Sequence, residues 1–220
     1  MTEVFNLQLH VAHACNLSCD FCTHYSNHGH KGIVSLERAR EWLDGSKQRL
    51  DPHEFVLLGG EPTIHHDSPE YLEKVEPAVR LVRQWEHEHD SRAEIRPSDQ
   101  EWMRLYQGTE SDRVPFDDGD PRTSWKNCVT RHCTQLFEGK LWKCPPLAYL
   151  KLQKEKYGDG FSSRWDPCLK YDGLPPSASD AELQAFMARK AEPYCGMCPA
   201  QVHTFPVANP LPSARKQRTA

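Results

Sequence analysis

From Val4 to Val11 apolar and polar side chains alternate, with Phe5, Leu7, Leu9 and Val11 on one face and Asn6, Gln8 and His10 on the other. That period of two predicts a β-strand with one wet face. Parallel strands buried on both sides usually read as unbroken apolar runs, so the polar face predicts a lumen or cleft that holds a ligand. The period then changes. Ser35 is a predicted N-cap, Leu36, Ala39, Trp42 and Leu43 follow at helical spacing, and Gly45 is the stop. Phe55-Val56-Leu57-Leu58 is an apolar run of the kind a buried parallel strand gives, and it ends in Gly59-Gly60-Glu61-Pro62. Strand, helix and strand in this order predict a right-handed crossover unit.

A second helix is predicted from Ser68 and Pro69, with an apolar stripe of Leu72, Val75, Val79, Val82 and Trp85 and a kink at Pro77; a short strand is predicted at 93–96. Between 97 and 127 the periodicity is lost, and Asp117-Asp118-Gly119-Asp120-Pro121 reads as turns. The second half carries six of the cysteines, many prolines, and one clear helix from Ser179 to Arg189 with Leu183, Phe186 and Met187 inward. A region so short buries little core, and a metal centre would supply the missing stability. The expected organisation is α/β: a core at 1–127, a small Cys-rich domain at 128–205, and a disordered polar tail at 206–220.

The length of 220 residues suits one medium domain, or one domain with a small appendage. A formal charge of -4, from 27 basic and 31 acidic residues, gives no reason to expect a nucleic-acid or membrane partner. The N-terminus lacks the features of a signal peptide and no long apolar stretch occurs, so a cytoplasmic location is expected. Nine cysteines in a reducing compartment point to metal or redox use rather than disulfides.

Three of them, Cys15, Cys19 and Cys22, fall within eight residues just after the first strand. A four-iron cubane is normally held by four cysteines, so three would leave one corner open for chemistry. The order strand, Cys-x3-Cys-x2-Cys loop with Phe21 before the third cysteine, helix, strand, Gly-Gly-Glu-Pro resembles the radical SAM family. The resemblance implies a 4Fe-4S cluster on Cys15, Cys19 and Cys22, with S-adenosylmethionine on its open iron. It implies reductive cleavage to a 5'-deoxyadenosyl radical, followed by hydrogen abstraction from a peptide or small-molecule substrate. It also implies that Phe21 packs on the adenine and that Gly59, Gly60, Glu61 and Pro62 lie along the methionine ammonium. Two glycines allow close backbone approach, and a carboxylate suits an ammonium. Taken alone, the cysteine loop reads equally as a structural zinc site and Gly-Gly-Glu-Pro as an ordinary turn.

Farther on, Cys128, Gly139, Cys144, Cys195 and Cys198 resemble the SPASM and twitch auxiliary-cluster extensions, which implies a second 4Fe-4S cluster on the four cysteines. Cys133 is the alternative ligand, and Cys168 reads as a small buried hydrophobe. Only half the strand-helix units of such a core are found before Cys128, so a shortened partial (β/α) barrel is expected: one short and wide enough to admit a large substrate, one completed by a second subunit in a homodimer, or one that binds a cluster without full turnover. A reductant protein such as flavodoxin or ferredoxin is the implied electron donor. His10 is the candidate catalytic side chain, although a strand histidine more often makes an ordinary hydrogen bond. His24, His28 and His30 fit a mobile polar loop; Trp102, Trp125, Trp142 and Trp165 fit packing of the second domain; Asp117, Asp118 and Asp120 suggest a cation site only weakly. The rival classes are a non-catalytic iron-sulfur or zinc protein and an activase that places a radical on a partner protein.

Overall fold

The N-terminal alternation folds as β1 (Thr2–Ala12), which lies inside a four-stranded sheet with the strands Leu50–Gly59 (β2) on one side and Cys133–Phe137 (β4), followed by Lys140–Trp142 (β5), on the other. The structure is a computed structural model and describes residues 1–15, 19–46, 48–60, 87 and 101–206. One compact unit comprises Met1–Pro62 and Glu101–Ala220; Thr63–Gln100 form a second. The expected helix from Ser68 and strand at 93–96 lie outside the described residues, as do residues 16–18 of the cysteine loop, Glu61, Pro62 and the tail from 207.

The strand-helix-strand order of the first unit is as predicted, with its two strands parallel. Helix α1 (Leu36–Asp44) starts at Ser35, whose hydroxyl accepts the N–H of Arg38 at 3.2 Å, and gives way at Gly45. The chain returns as β2 (Leu50–Gly59), parallel to β1 with Leu7 opposite Phe55 and His10 opposite Leu58. Two expectations are corrected. Among the described residues β2 is the outermost strand of this sheet, and its Phe55 and Leu57 are 46% and 58% exposed rather than buried. Phe5 is 59% exposed beside His132, and Val4 takes its place in the core.

The second half adds to the same sheet. β4 (Cys133–Phe137) pairs parallel with the other side of β1, setting Gln135 opposite Gln8, and β5 (Lys140–Trp142) folds back antiparallel through Glu138 and Gly139, both at positive φ. The sheet therefore spans the boundary expected near residue 127. A short helix, α2 (Pro121–Asn127), begins where only turns were expected, because the Asp120 carboxylate caps it through the N–H and hydroxyl of Thr123. Asp117 pairs with Arg164 at 3.0 Å and Asp118 accepts the N–H of Ala200, so these acids brace loops instead of forming a cation site.

Helix α3 (Pro145–Tyr157) escaped the periodicity reading: Pro145 and Pro146 open it, and lysines interrupt its apolar stripe. It nonetheless buries Leu147, Tyr149, Leu150 and Gln153. After the short α4 (Asp166–Leu169), helix α5 (Asp180–Ala188) is the predicted one, with a capping box between Ser179 and Glu182. The C-terminal β6 (Thr204–Pro206) pairs antiparallel with β3 (Glu101–Met103), so Pro206 belongs to a strand rather than to the expected tail. The result is a mixed α/β fold with a parallel sheet. Among the described residues no helix is long and apolar enough to cross a membrane.

Two cores result. One packs Leu183 and Phe186 of α5 against Val4, Leu7, Leu9 and Leu136 of the sheet; the other gathers Tyr25, Tyr106, Trp142, Tyr149, Phe161 and Trp165. Truncating Leu183, 2% exposed, to Ala is expected to cost about 2–5 kcal/mol in urea titrations. Phe5→Ala, at an exposed position, should stay within about 0.5 kcal/mol.

Candidate functional site

The cysteine loop and the Gly59-Gly60 pair meet at the end of the paired strands. Gly60 donates its N–H to the Ala12 carbonyl at 2.6 Å. A Cβ added to Gly59, whose φ is +153°, would sit 2.3 Å from the Ala12 oxygen. On Gly60 it would sit 1.9 Å from the Ala14 oxygen and 3.1 Å from the Cys15 Cβ. Glycine is required here because β2 abuts the backbone that leads into the first cysteine.

Cys15 is buried, and Cys19 and Cys22 are partly exposed. Burial pushes the Cys19 thiol up to about 11, and the neighbouring Cys22 and Cys15 thiols push the same way, so the three sulfurs lie within electrostatic reach of one another. Burial raises Cys22 too, opposed by the backbone N–H groups of His24, Ser26, Asn27 and Tyr25. Phe21 and Tyr25, both at φ 56°, shape this turn, and a 3-10 segment (Ser26–His28) continues it. These four N–H groups offset part of the burial penalty on the thiolate, the state in which cysteine binds iron, while burial still holds the thiol raised.

Arg113 fixes the back of the loop. It is 1% exposed, lies 5.2 Å from the Tyr25 and Tyr106 rings and 5.4 Å from that of Tyr157, and hydrogen-bonds Gln153 and His28. Nothing in its sequence surroundings marks it. Phe21, expected on the adenine, packs on Tyr106 at 4.9 Å and Phe205 at 5.3 Å, with the Arg104 guanidinium 5.3 Å from its centroid. Glu61 and Pro62 of the glycine motif lie outside the described residues.

The polar face of β1 is dry, not an open cleft. Gln8, His10 and Gln135 are buried; Tyr149 donates to Gln135, which donates to Gln8. His10 Nε2 lies 3.1 Å from His13 Nδ1, while its Nδ1 is buried without a partner. Burial first, then His24 and His13, push the His10 imidazole down to about 2; burial takes His24 to about 4, partly offset by Gln135. His24 is 8% exposed against Tyr149, and His28 and His30 reach Tyr157 and Gln153, so these three are packed rather than parts of a mobile loop.

The C-terminal cysteines assemble separately. Cys128, Cys144, Cys195 and Cys198 all line one cavity of about 50 Å³, which Cys133 and Cys168 do not. Cys128 follows α2 and Cys144 precedes α3, while Cys195 sits on a 3-10 turn (Pro193–Met197) and Cys198 follows it, held to α2 where Ser124 donates to the Cys198 carbonyl and Asn127 to the Ala200 carbonyl. Burial pushes Cys144 and Cys198 well up, and each is raised further by the other thiols. Lys143 also lines the cavity, within electrostatic reach of Cys195. Cys133, the alternative ligand, heads β4 near Cys128, and Cys168 is a buried core residue as expected. Trp125 borders the cavity, whereas Trp142 and Trp165 are core.

Tyr25 joins the two cysteine groups. Its N–H donates to the Cys22 carbonyl at 3.1 Å, and its phenol lies within electrostatic reach of Cys144 and Cys198. Among the described residues no three Cys, His, Asp or Glu side chains gather tightly enough to grip one metal ion. A four-iron cluster tolerates such a spread better, since each cysteine takes its own iron.

Residues 9–116 match the family model described as the Radical SAM superfamily, and the match supports that family for this stretch. Members are in general enzymes that cleave S-adenosylmethionine to a radical, so a 4Fe-4S cluster and S-adenosylmethionine binding are implied. No curated protein matches the chain.

Gly60→Ala is expected to lower iron uptake on anaerobic reconstitution, whereas Gly160→Ala, where an added Cβ meets only Ser111 at 3.9 Å, should not. The His10 imidazole titrates lower when folded than its ordinary 6.5, so the unfolded chain takes up a proton that the folded chain refuses as pH falls. Stability should therefore drop below about pH 6.5, by up to about 1.4 kcal/mol per pH unit from this group. Urea titrations between about pH 6 and 4 should show a shallower slope for His10→Gln.

Proposed function

We propose that this protein is a radical S-adenosylmethionine enzyme that holds one 4Fe-4S cluster on Cys15, Cys19 and Cys22 and a second on Cys128, Cys144, Cys195 and Cys198. The observation that carries the reading is the contact between its two motifs: Gly60 packs directly on Ala14 and Cys15, so the strand end that would line the methionine of the cofactor also sets the first cluster ligand. The family match over residues 9–116 supports it independently of that geometry.

When bound, the cluster and S-adenosylmethionine supply one-electron cleavage of the sulfonium, giving the 5'-deoxyadenosyl radical that takes a hydrogen atom from substrate. The chain's residues prepare this step. The N–H groups around Cys22 offset part of the burial penalty on its thiolate, and Arg113 with its tyrosines keeps the turn in place. Phe21 offers a ring for the adenine, and Glu61 a carboxylate for the ammonium. Gln8, His10, Gln135 and Tyr149 keep water from the sheet face below the loop, and His10, fully buried there, supports that face rather than meeting substrate.

The substrate is a peptide or small molecule, and the net reaction a dehydrogenation, cross-link or related modification. The second cluster would take the electron left on the substrate radical, and Tyr25, which reaches from Cys22 towards Cys144 and Cys198, supports such a transfer. A cytoplasmic flavodoxin or ferredoxin would supply the starting electron. The shortened barrel, completed by a second copy, and the C-terminal cluster domain at 128–205 are part of this proposal.

Anaerobic reconstitution with iron and sulfide tests it. The wild-type chain should bind two clusters' worth of iron and, when reduced with S-adenosylmethionine, release 5'-deoxyadenosine; Cys19→Ala should abolish the release. A fully loaded chain that releases none would instead be a non-catalytic iron-sulfur protein.

A further inference from the structure

The cysteine cavity is lined by a phenol whose O–H has no acceptor among the described residues. Tyr171 follows α4, where its N–H donates to the Cys168 carbonyl at 3.1 Å, and its ring packs 6.0 Å from Trp142 and 5.0 Å from Tyr194. The residue is 5% exposed and lines the cavity together with Cys128, Cys144, Cys195 and Cys198. Its phenolic oxygen is buried within reach of the Lys143 backbone N–H, and its O–H proton has no acceptor among the described residues. A buried hydroxyl in that state is costly unless a ligand brings the acceptor. The ionisable groups that the phenol senses most are Glu192 and the Cys144 thiol, both on the cavity wall. Glu192 also has a buried oxygen, 3.8 Å from the Arg189 guanidinium, but a carboxylate accepts hydrogen bonds and repels thiolates, so it cannot serve as a donor to sulfur.

We propose that Tyr171 is the hydrogen-bond donor of the C-terminal cysteine site, its O–H directed at a sulfur of the cluster held there and raising that cluster's reduction potential. The inference rests on the second cluster proposed above. The sign follows from charge: reduction makes the sulfurs more negative, a donated hydrogen bond stabilises the reduced form more than the oxidised one, and the potential rises. Tyr171 is a positioning and tuning residue; it gives up no proton.

Redox titration of the reconstituted full-length protein, followed by electron paramagnetic resonance, tests the inference. Tyr171→Phe keeps the ring against Trp142 and Tyr194 and removes only the hydroxyl. The expected result is wild-type iron content, an unchanged component that responds to S-adenosylmethionine, and a shift to lower potential of the component that does not respond. Unchanged potentials for both components, or loss of iron in the variant, would overturn it. A wild-type protein with a single component overturns the two-cluster reading itself, and that failure shows without any variant.

Discussion

The arrangement depends on the absence of a side chain at Gly59 and Gly60. Parallel pairing carries β2 up to the end of β1, where its next residue meets the carbonyls of Ala12 and Ala14 with no space for even one methyl group. Backbone contact so close turns the end of a strand into a clamp on the segment that presents Cys15. The clamp holds one side of the loop and the Arg113 cage the other, pinning Tyr25 and, through it, the N–H groups around Cys22. Cysteine positions set in this way are preorganised before any iron arrives.

The same core serves both cysteine groups. Tyr25, Phe21, Cys144 and Cys198 pack in or against one hydrophobic cluster, so the N-terminal and C-terminal cysteine groups share walls rather than occupying separate lobes. β4 strengthens the union, since a strand from the second half supports β1 directly. Beneath the loop, buried glutamines and neutral histidines satisfy most of one another's hydrogen bonds. A dry, polar and rigid floor suits radical chemistry, in which stray water and mobile side chains are competing reactants.

Local signals were the legible ones. β1, α1 and α5 were readable because alternation, the Ser35 and Ser179 caps and helical spacing are properties of neighbouring residues. β4 was missed because Cys-Thr-Gln-Leu-Phe has no clean period, and its partner is β1, far away in sequence. α3 was hidden by its two prolines and its lysines, although its tertiary neighbours bury seven of its 13 residues. At the site the cysteine spacing and the double glycine were visible, but the contact partner of the glycines was not: it is the cysteine loop itself. Arg113, Tyr25 and Tyr171 carry no motif, and their importance comes from what the fold sets around them.

The central claim is that two four-iron centres occupy one continuous core, one on the loop clamped by Gly59 and Gly60 and one in the C-terminal cavity. Anomalous scattering at the iron edge, from crystals of the anaerobically reconstituted protein, tests this most directly. The account predicts two peaks, one bonded to Cys15, Cys19 and Cys22 and the other to Cys128, Cys144, Cys195 and Cys198, with Tyr25 between them. A single peak, or a second one bonded through Cys133 or Cys168 in place of these four, would contradict it.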